Sequence, residues 1–162
     1  MQGEFFEHIV ERELFVLRWR EPAPEAVEAL NQVIGRRARD NGGPLTVITI
    51  IDAQTPVPDR ATRAALEQAM LTHSPDEVSG FHAVLVGEGI KMTIIRSILT
   101  GLMIVVGMRG KQATIHRDIA GMAKLIGARE GHDAHAFLDW LCRHTFISSV
   151  EVDAARLELS SA

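Results

Sequence analysis

The sequence predicts an α/β protein with a mixed, mostly parallel five-stranded sheet, in the order β-β-α-β-α-β-α-β-α plus a C-terminal helix. Three observations predict it. Two β-like runs, residues 4–10 and 14–19, are separated only by Glu11-Arg12-Glu13 and read as an antiparallel hairpin. Beyond them, short apolar runs alternate with segments whose apolar residues recur every three or four positions, which requires crossovers onto a largely parallel sheet. Residues 45–51 (LTVITII) are nearly continuous in apolar and β-branched side chains, as a central strand covered on both faces must be.

The elements follow in order. Pro22 and Pro24 open a helix carrying Val27, Leu30, Ile34 and Ala38, and Asn41-Gly42-Gly43-Pro44 ends it as a C-terminal glycine cap does. After the central strand comes a turn-rich loop, Asp52-Ala53-Gln54-Thr55-Pro56-Val57-Pro58. Asp59 then stands where its carboxylate caps a second helix bearing Leu66, Ala69, Met70 and His73. Ser74 and Glu77 have capping-box spacing and mark a short extra turn. Residues 83–86 (AVLV) read as a short buried strand and residues 113–116 as a fifth. Asp118 caps a helix burying Ile119, Met122, Leu125 and Ile126. Residues 127–131 break the pattern, and Asp133 caps a last helix with Ala134, Phe137, Leu138 and Leu141. This organisation gives an α/β domain over residues 1–127 and a helical extension, 128–162, packed on the same domain. Residues 148–162 alternate weakly and receive no assignment.

Residues 90–108 raise the question of membrane insertion, because they are apolar apart from a few polar side chains and glycines. The longest charge-free run is too short for a bilayer, so no membrane span is expected. At 100° per residue Thr93, Arg96, Ser97, Thr100 and Gly107 share one side. Met92, Ile94, Ile95, Ile98, Leu99, Leu102, Val105 and Val106 share the other, which describes an amphipathic core helix. Ile104 falls on the polar side and Met103 at its border, so this helix offers a hydrophobic surface to something outside the monomer.

Composition narrows the classes. At 162 residues, with 46% hydrophobic and 23% charged residues, the chain fits one globular domain with a real core. Cys142 is the one cysteine, which excludes an internal disulfide, fits a reducing compartment and reads as a buried thiol. The net charge of -4 and a pI of about 6.0 give no general attraction to nucleic acid. Arg36, Arg37 and Arg39 read as a solvated helix end. Glu4, Glu7, Glu11 and Glu13 occupy the place where a signal peptide needs basic residues and an apolar run, so a cytoplasmic location is expected.

The chemical motifs are weak. Gly87-Glu88-Gly89 sits between a strand and a helix, but Met92 stands where a dinucleotide fingerprint needs glycine, leaving a tight turn. Gly110-Lys111-Gln112 fails as a phosphate loop because Val105 and Gln112 replace its first glycine and its hydroxyl residue. His132 and His135, beside Asp133 and Asp139, have metal-compatible spacing but read as surface residues, and no metal or other cofactor is expected. Asp52 and Asp59 flank the loop at the C-terminal end of the central strand, the usual functional edge of such sheets. Acid–base catalysis by the pair is one reading, and turn formation and helix capping explain both without it.

On the strength of residues 14–19 (LFVLRW), 45–52 (LTVITIID) and 83–126, this chain resembles the STAS family, which includes anti-sigma factor antagonists and domains of anion transporters. It is closer to a divergent STAS/SEC14-like branch. In partner-switching members a strand ends in aspartate, and a second aspartate followed by a phosphorylated serine opens the next helix. The resemblance places Asp52 and Asp59 at those aspartates, with a shorter loop between them. Arg60 or Ala61 occupies the serine position, and Thr62 is the nearest hydroxyl for such a switch.

Three functions are thereby set against one another. The first is a non-enzymatic regulatory module that binds a protein partner through Asp52, Thr55, Asp59, Arg60 and Thr62. The second is a carrier of a small molecule or lipid, using a hydrophobic face that includes Met92, Met103, Ile104 and Trp140. The third is an enzyme based on Asp52 and Asp59. Met103, Ile104 and the Phe137/Trp140 helix also suit twofold self-association.

Overall fold

The structure, a computed structural model, describes residues 5–107, 111–131 and 133–161. It is α/β, with a five-stranded, mostly parallel mixed sheet and, among the described residues, six helices. The chain divides into two compact units, Met1–Ile115 and His116–Ala162.

In the first unit β1 (Phe6–Glu11) and β2 (Leu14–Trp19) form the expected antiparallel hairpin, with Glu11 opposite Leu14 and Phe6 opposite Trp19. Arg12 turns the corner with φ 52°, a left-handed conformation uncommon outside glycine. The next connection is α1 (Pro24–Asn41), which has proline in its first turn and ends on Gly42 at φ 68°. There a side chain would be strained, and glycine is not. The chain returns as β3 (Leu45–Ile51), parallel to β2 and paired with β4 (Val78–Leu85) on its other side. Sheet order is β1-β2-β3-β4-β5. Every residue of β3 except Thr49 is buried, as a strand covered on both faces requires.

Between β3 and β4 runs α2 (Arg60–Thr72), capped by Asp59. α3 (Ile90–Gly107) follows β4 through Gly87 and Gly89, both at positive φ, so the Gly-Glu-Gly segment is the expected tight turn. The core is formed where α1 lays Ala26, Val27, Leu30, Ile34 and Ala38 on Phe15, Leu17, Trp19, Val47 and Phe81. A smaller cluster joins Ile51, Leu85, Met92 and Ile95.

Several boundaries differ from the sequence reading. β4 starts at Val78, five residues early, because Gly80 and His82 interrupt the apolar run yet are buried. A Cβ on Gly80 would stand 3.3 Å from Gln112 Cβ, so glycine lets β4 and β5 (Gln112–His116) approach closely there. On α3, Ile94 was expected on the core face and is 45% exposed, while Met103 is half-buried against the core. Ile104 is exposed, as its polar-side position implies. By length and composition α3 could cross a membrane, and 28% of it is buried within the chain.

The second unit holds α4 (Ile119–Glu130), α5 (Ala134–Arg143) and α6 (Ser149–Ser160), which pack on one another pairwise. α4 therefore groups with the C-terminal helices, and it runs through Gly127 to a left-handed cap at Gly131. The unassigned tail is α6. Its buried contacts include Val152 and Ala155, and Arg156 Nη2 donates to Asp139 Oδ1 of α5 at 2.6 Å. Cys142 is half-buried, not the buried thiol expected.

Candidate functional site

The first unit contains an apolar cavity of about 100 Å³. One water needs roughly 10–15 Å³, so this space suits a small organic molecule. Its walls come from four elements whose apolar stripes face one another. α1 contributes Val27, Leu30 and Ile34, α2 contributes Leu66, Ala69 and Met70, and α3 contributes Ile95, Ile98, Leu99, Leu102 and Met103. The sheet supplies Leu17, Trp19, Val47, Ile51 and Phe81. Along α2 the lining extends from Pro58, just before the N-cap, to His73 at the C-cap, about 20 Å on a rise of 1.5 Å per residue. Exposed Pro56 is also part of the wall, at the end nearer solvent. Met70 and Met103 are flexible thioethers able to follow an occupant's shape.

Polar groups are few in this wall, and two of them lack hydrogen-bond partners. Asn31 Oδ1 and His73 Nε2 are buried, line the cavity and meet no partner among the described residues. Asn31 sits on α1 within the stripe Val27, Leu30, Ile34, where an apolar residue would satisfy the helix period. His73, 6% exposed, ends α2 with its Nδ1 3.7 Å from Glu77 Oε2. Burial holds the His73 pKa below the ordinary histidine value. The charges of Lys111 and Arg39 push the same way, against Glu77. With its pKa lowered the imidazole is uncharged at neutral pH, and a proton on Nδ1, the nitrogen nearer Glu77, would make Nε2 an acceptor.

Behind His73, Lys111 is itself buried, donating from Nζ to the Met70 carbonyl at 2.6 Å and lying 5.7 Å from the Phe81 ring centroid. Burial lowers its pKa, with Glu77 opposing. Its amine thus serves one of the last carbonyls of α2, which have no partners within the helix.

The loop singled out in the sequence is built differently from a reactive site. Asp52 Oδ1 accepts from the backbone N–H of Gln54 (2.8 Å) and Thr55 (3.1 Å), and its Oδ2 lies 3.9 Å from Arg18 Nε. Thr55, 4% exposed, closes the same turn. Asp59 Oδ1 accepts from Thr62 N–H at 2.7 Å, and the Thr62 donors hold its pKa below the usual carboxylate value. Both carboxylates are engaged in turning and capping the chain. Thr62 is 1% exposed, so the hydroxyl offered by the sequence as a phosphorylation point lies inside the fold. Arg60 is exposed. Lys91 Nζ donates to the Ala53 carbonyl at 2.7 Å, fastening this loop to the first turn of α3, where Ile90 is 83% exposed.

The remaining candidates disperse. Met92 is buried in the smaller core cluster and Met103 lines the cavity, whereas Ile104 is 61% exposed. Trp140 belongs to the second unit and stacks on Phe137 with centroids 5.8 Å apart. Of the metal-spaced residues, His132 lies outside the described residues, Asp133 caps α5 through Ala136 N–H (2.8 Å), and Asp139 pairs with Arg156. Among the described residues no three His, Cys, Asp or Glu side chains gather as metal ligands.

The fold and this cavity define the class as an α/β protein with an apolar pocket into which two buried polar residues, Asn31 and His73, are set. Compared with known proteins, the chain matches no family model, no curated protein and no solved structure.

Proposed function

We propose that this chain is a non-catalytic binding module of the STAS/SEC14-like kind, whose α/β unit holds a small, largely apolar molecule beneath α1, α2 and α3. The observation that carries the reading is the cavity, walled almost wholly by side chains of three helices and the sheet. Ligand sites of small-molecule binders have this composition, apolar walls with a few polar groups that fix orientation. Native mass spectrometry of freshly purified protein tests the reading: a co-purified species released on denaturation is expected. A bare chain mass, with no thermal stabilisation by small aromatic or aliphatic compounds, would overturn it.

A second reading, a docking site for a protein partner, is favoured by the neighbourhood of residues 52–62. Lys91 ties that loop to α3, and Val57, Ile90 and Ile94 there are 40%, 83% and 45% exposed. Capture of a stoichiometric partner, lost on Ile90→Glu, supports it; recovery of the chain alone counts against it.

A further inference from the structure

We infer that the cavity selects an uncharged amphiphile, one whose hydroxyl-type head donates its hydrogen bond to Asn31 Oδ1 or His73 Nε2 while its apolar body lies along α2 and α3. This inference rests on the ligand-binding reading and adds the chemistry of the ligand.

The two acceptors are close in the fold. The imidazole edge of His73 rests on Gly35, where a Cβ would stand 3.4 Å from His73 Cε1. Asn31 precedes Gly35 by four residues and lies on the same helix face, about 6 Å away along the axis. Asn31 is therefore one helical turn along α1 from the Gly35 seat of the His73 ring, and both residues line the cavity. Each acceptor is a buried atom without a partner among the described residues, and an unsatisfied buried acceptor is costly. The charged groups facing His73 are Glu77 from the turn after α2, Lys111 from the segment before β5 and Arg39 from α1. Glu77 approaches the ring on its Nδ1 side, with Oε2 3.7 Å away, and Nε2 is the ring nitrogen left without a partner among the described residues. Two acceptors in an apolar wall favour a donor and disfavour a carboxylate, whose lone pairs would face theirs.

Phenol and toluene provide the test, since they have nearly the same shape and differ in a hydroxyl. Binding to the full chain, followed by calorimetry and amide chemical shifts, is expected to favour phenol by about tenfold or more, the usual consequence of satisfying buried polar groups. Phenol has one O–H, so Asn31→Leu and His73→Phe should each reduce that preference and the double variant should bring it to about onefold, with toluene binding retained, and His73→Gln should restore part of it. If His73→Phe does not fold, Asn31→Leu alone must still reduce the preference. Equal affinity of the natural chain for both compounds overturns the inference and leaves the ligand-binding reading standing. Binding of neither overturns both.

Discussion

Gly35 of α1 faces the imidazole of His73 at the end of α2, with room between them for one methyl group. A Cβ there would lie 3.4 Å from His73 Cε1 and 3.6 Å from Arg39 Nη1, which is ordinary packing distance. Gly35→Ala therefore fits without displacing the ring, and it removes the cost of glycine in a helix interior. Stabilisation of up to about 1 kcal/mol is expected. Gly35→Leu does not fit, and by pressing on the imidazole it is expected to cost about 1–3 kcal/mol. Urea unfolding of the two variants checks the pair, and a destabilising Gly35→Ala would show that the helices are closer than the geometry states.

The pH dependence of stability follows from the same residue. Burial lowers the pKa of His73 and of His8 below the ordinary value of 6.5, so near pH 6 the unfolded chain binds more protons than the folded one. Stability contributed by the neutral rings is then present above pH 6.5 and is lost as pH falls towards the folded-state pKa values. Unfolding midpoints measured from pH 7 to pH 5 stay above the ordinary carboxylate values of Asp59 and Glu77, whose own lowered pKa values act at more acid pH. The midpoint should fall across this window, and His73→Gln should flatten the slope. An unchanged slope would mean that His73 is not buried in its neutral form.

Thr62 separates a structural role from a switch. Its side chain is 1% exposed and its backbone N–H is bonded to the Asp59 cap, so a kinase reaches the hydroxyl only after the first turn of α2 opens. Thr62→Glu places a charge in that buried position and is expected to cost about 3 kcal/mol or more. Thr62→Val keeps the shape and loses one hydrogen bond, about 1 kcal/mol. Phosphorylation of the folded chain at Thr62, detected by mass without loss of thermal stability, would contradict this account.

How much was legible in the sequence depends on what each element announces locally. The β3 strand, the glycine stop after α1 and the caps at Asp59, Asp118 and Asp133 are short-range signals, and the structure places all of them as read. The cavity is a long-range object. Its two acceptors had a visible trace, because Asn31 interrupts the apolar stripe of α1 and His73 ends that of α2. That they converge depends on helix packing, which the spacing of residues does not encode. Lys111 was uninformative for the same reason: its neighbours in sequence only exclude a phosphate loop, while its partner, the Met70 carbonyl, lies 41 residues earlier.

α6 shows a signal that was present and overlooked. Ser148 and Glu151 form a reciprocal capping box: Glu151 N–H donates to Ser148 Oγ at 3.3 Å, and Ser148 N–H donates to Glu151 Oε2 at 2.6 Å. The spacing is the same one that marked Ser74 and Glu77, but the weak alternation after it concealed the helix period. α6 runs only 12 residues, too few to hold as an isolated helix, so it depends on this cap and on Val152 and Ala155. Ser148→Ala is expected to cost about 1 kcal/mol, and Glu151→Ala a similar or smaller amount. The double variant should cost less than the sum, because either change alone breaks the reciprocal pair. Hydrogen exchange across residues 149–160 reads the effect locally: faster exchange confined to α6 supports an end held by its cap, whereas unchanged exchange would show that packing alone holds it.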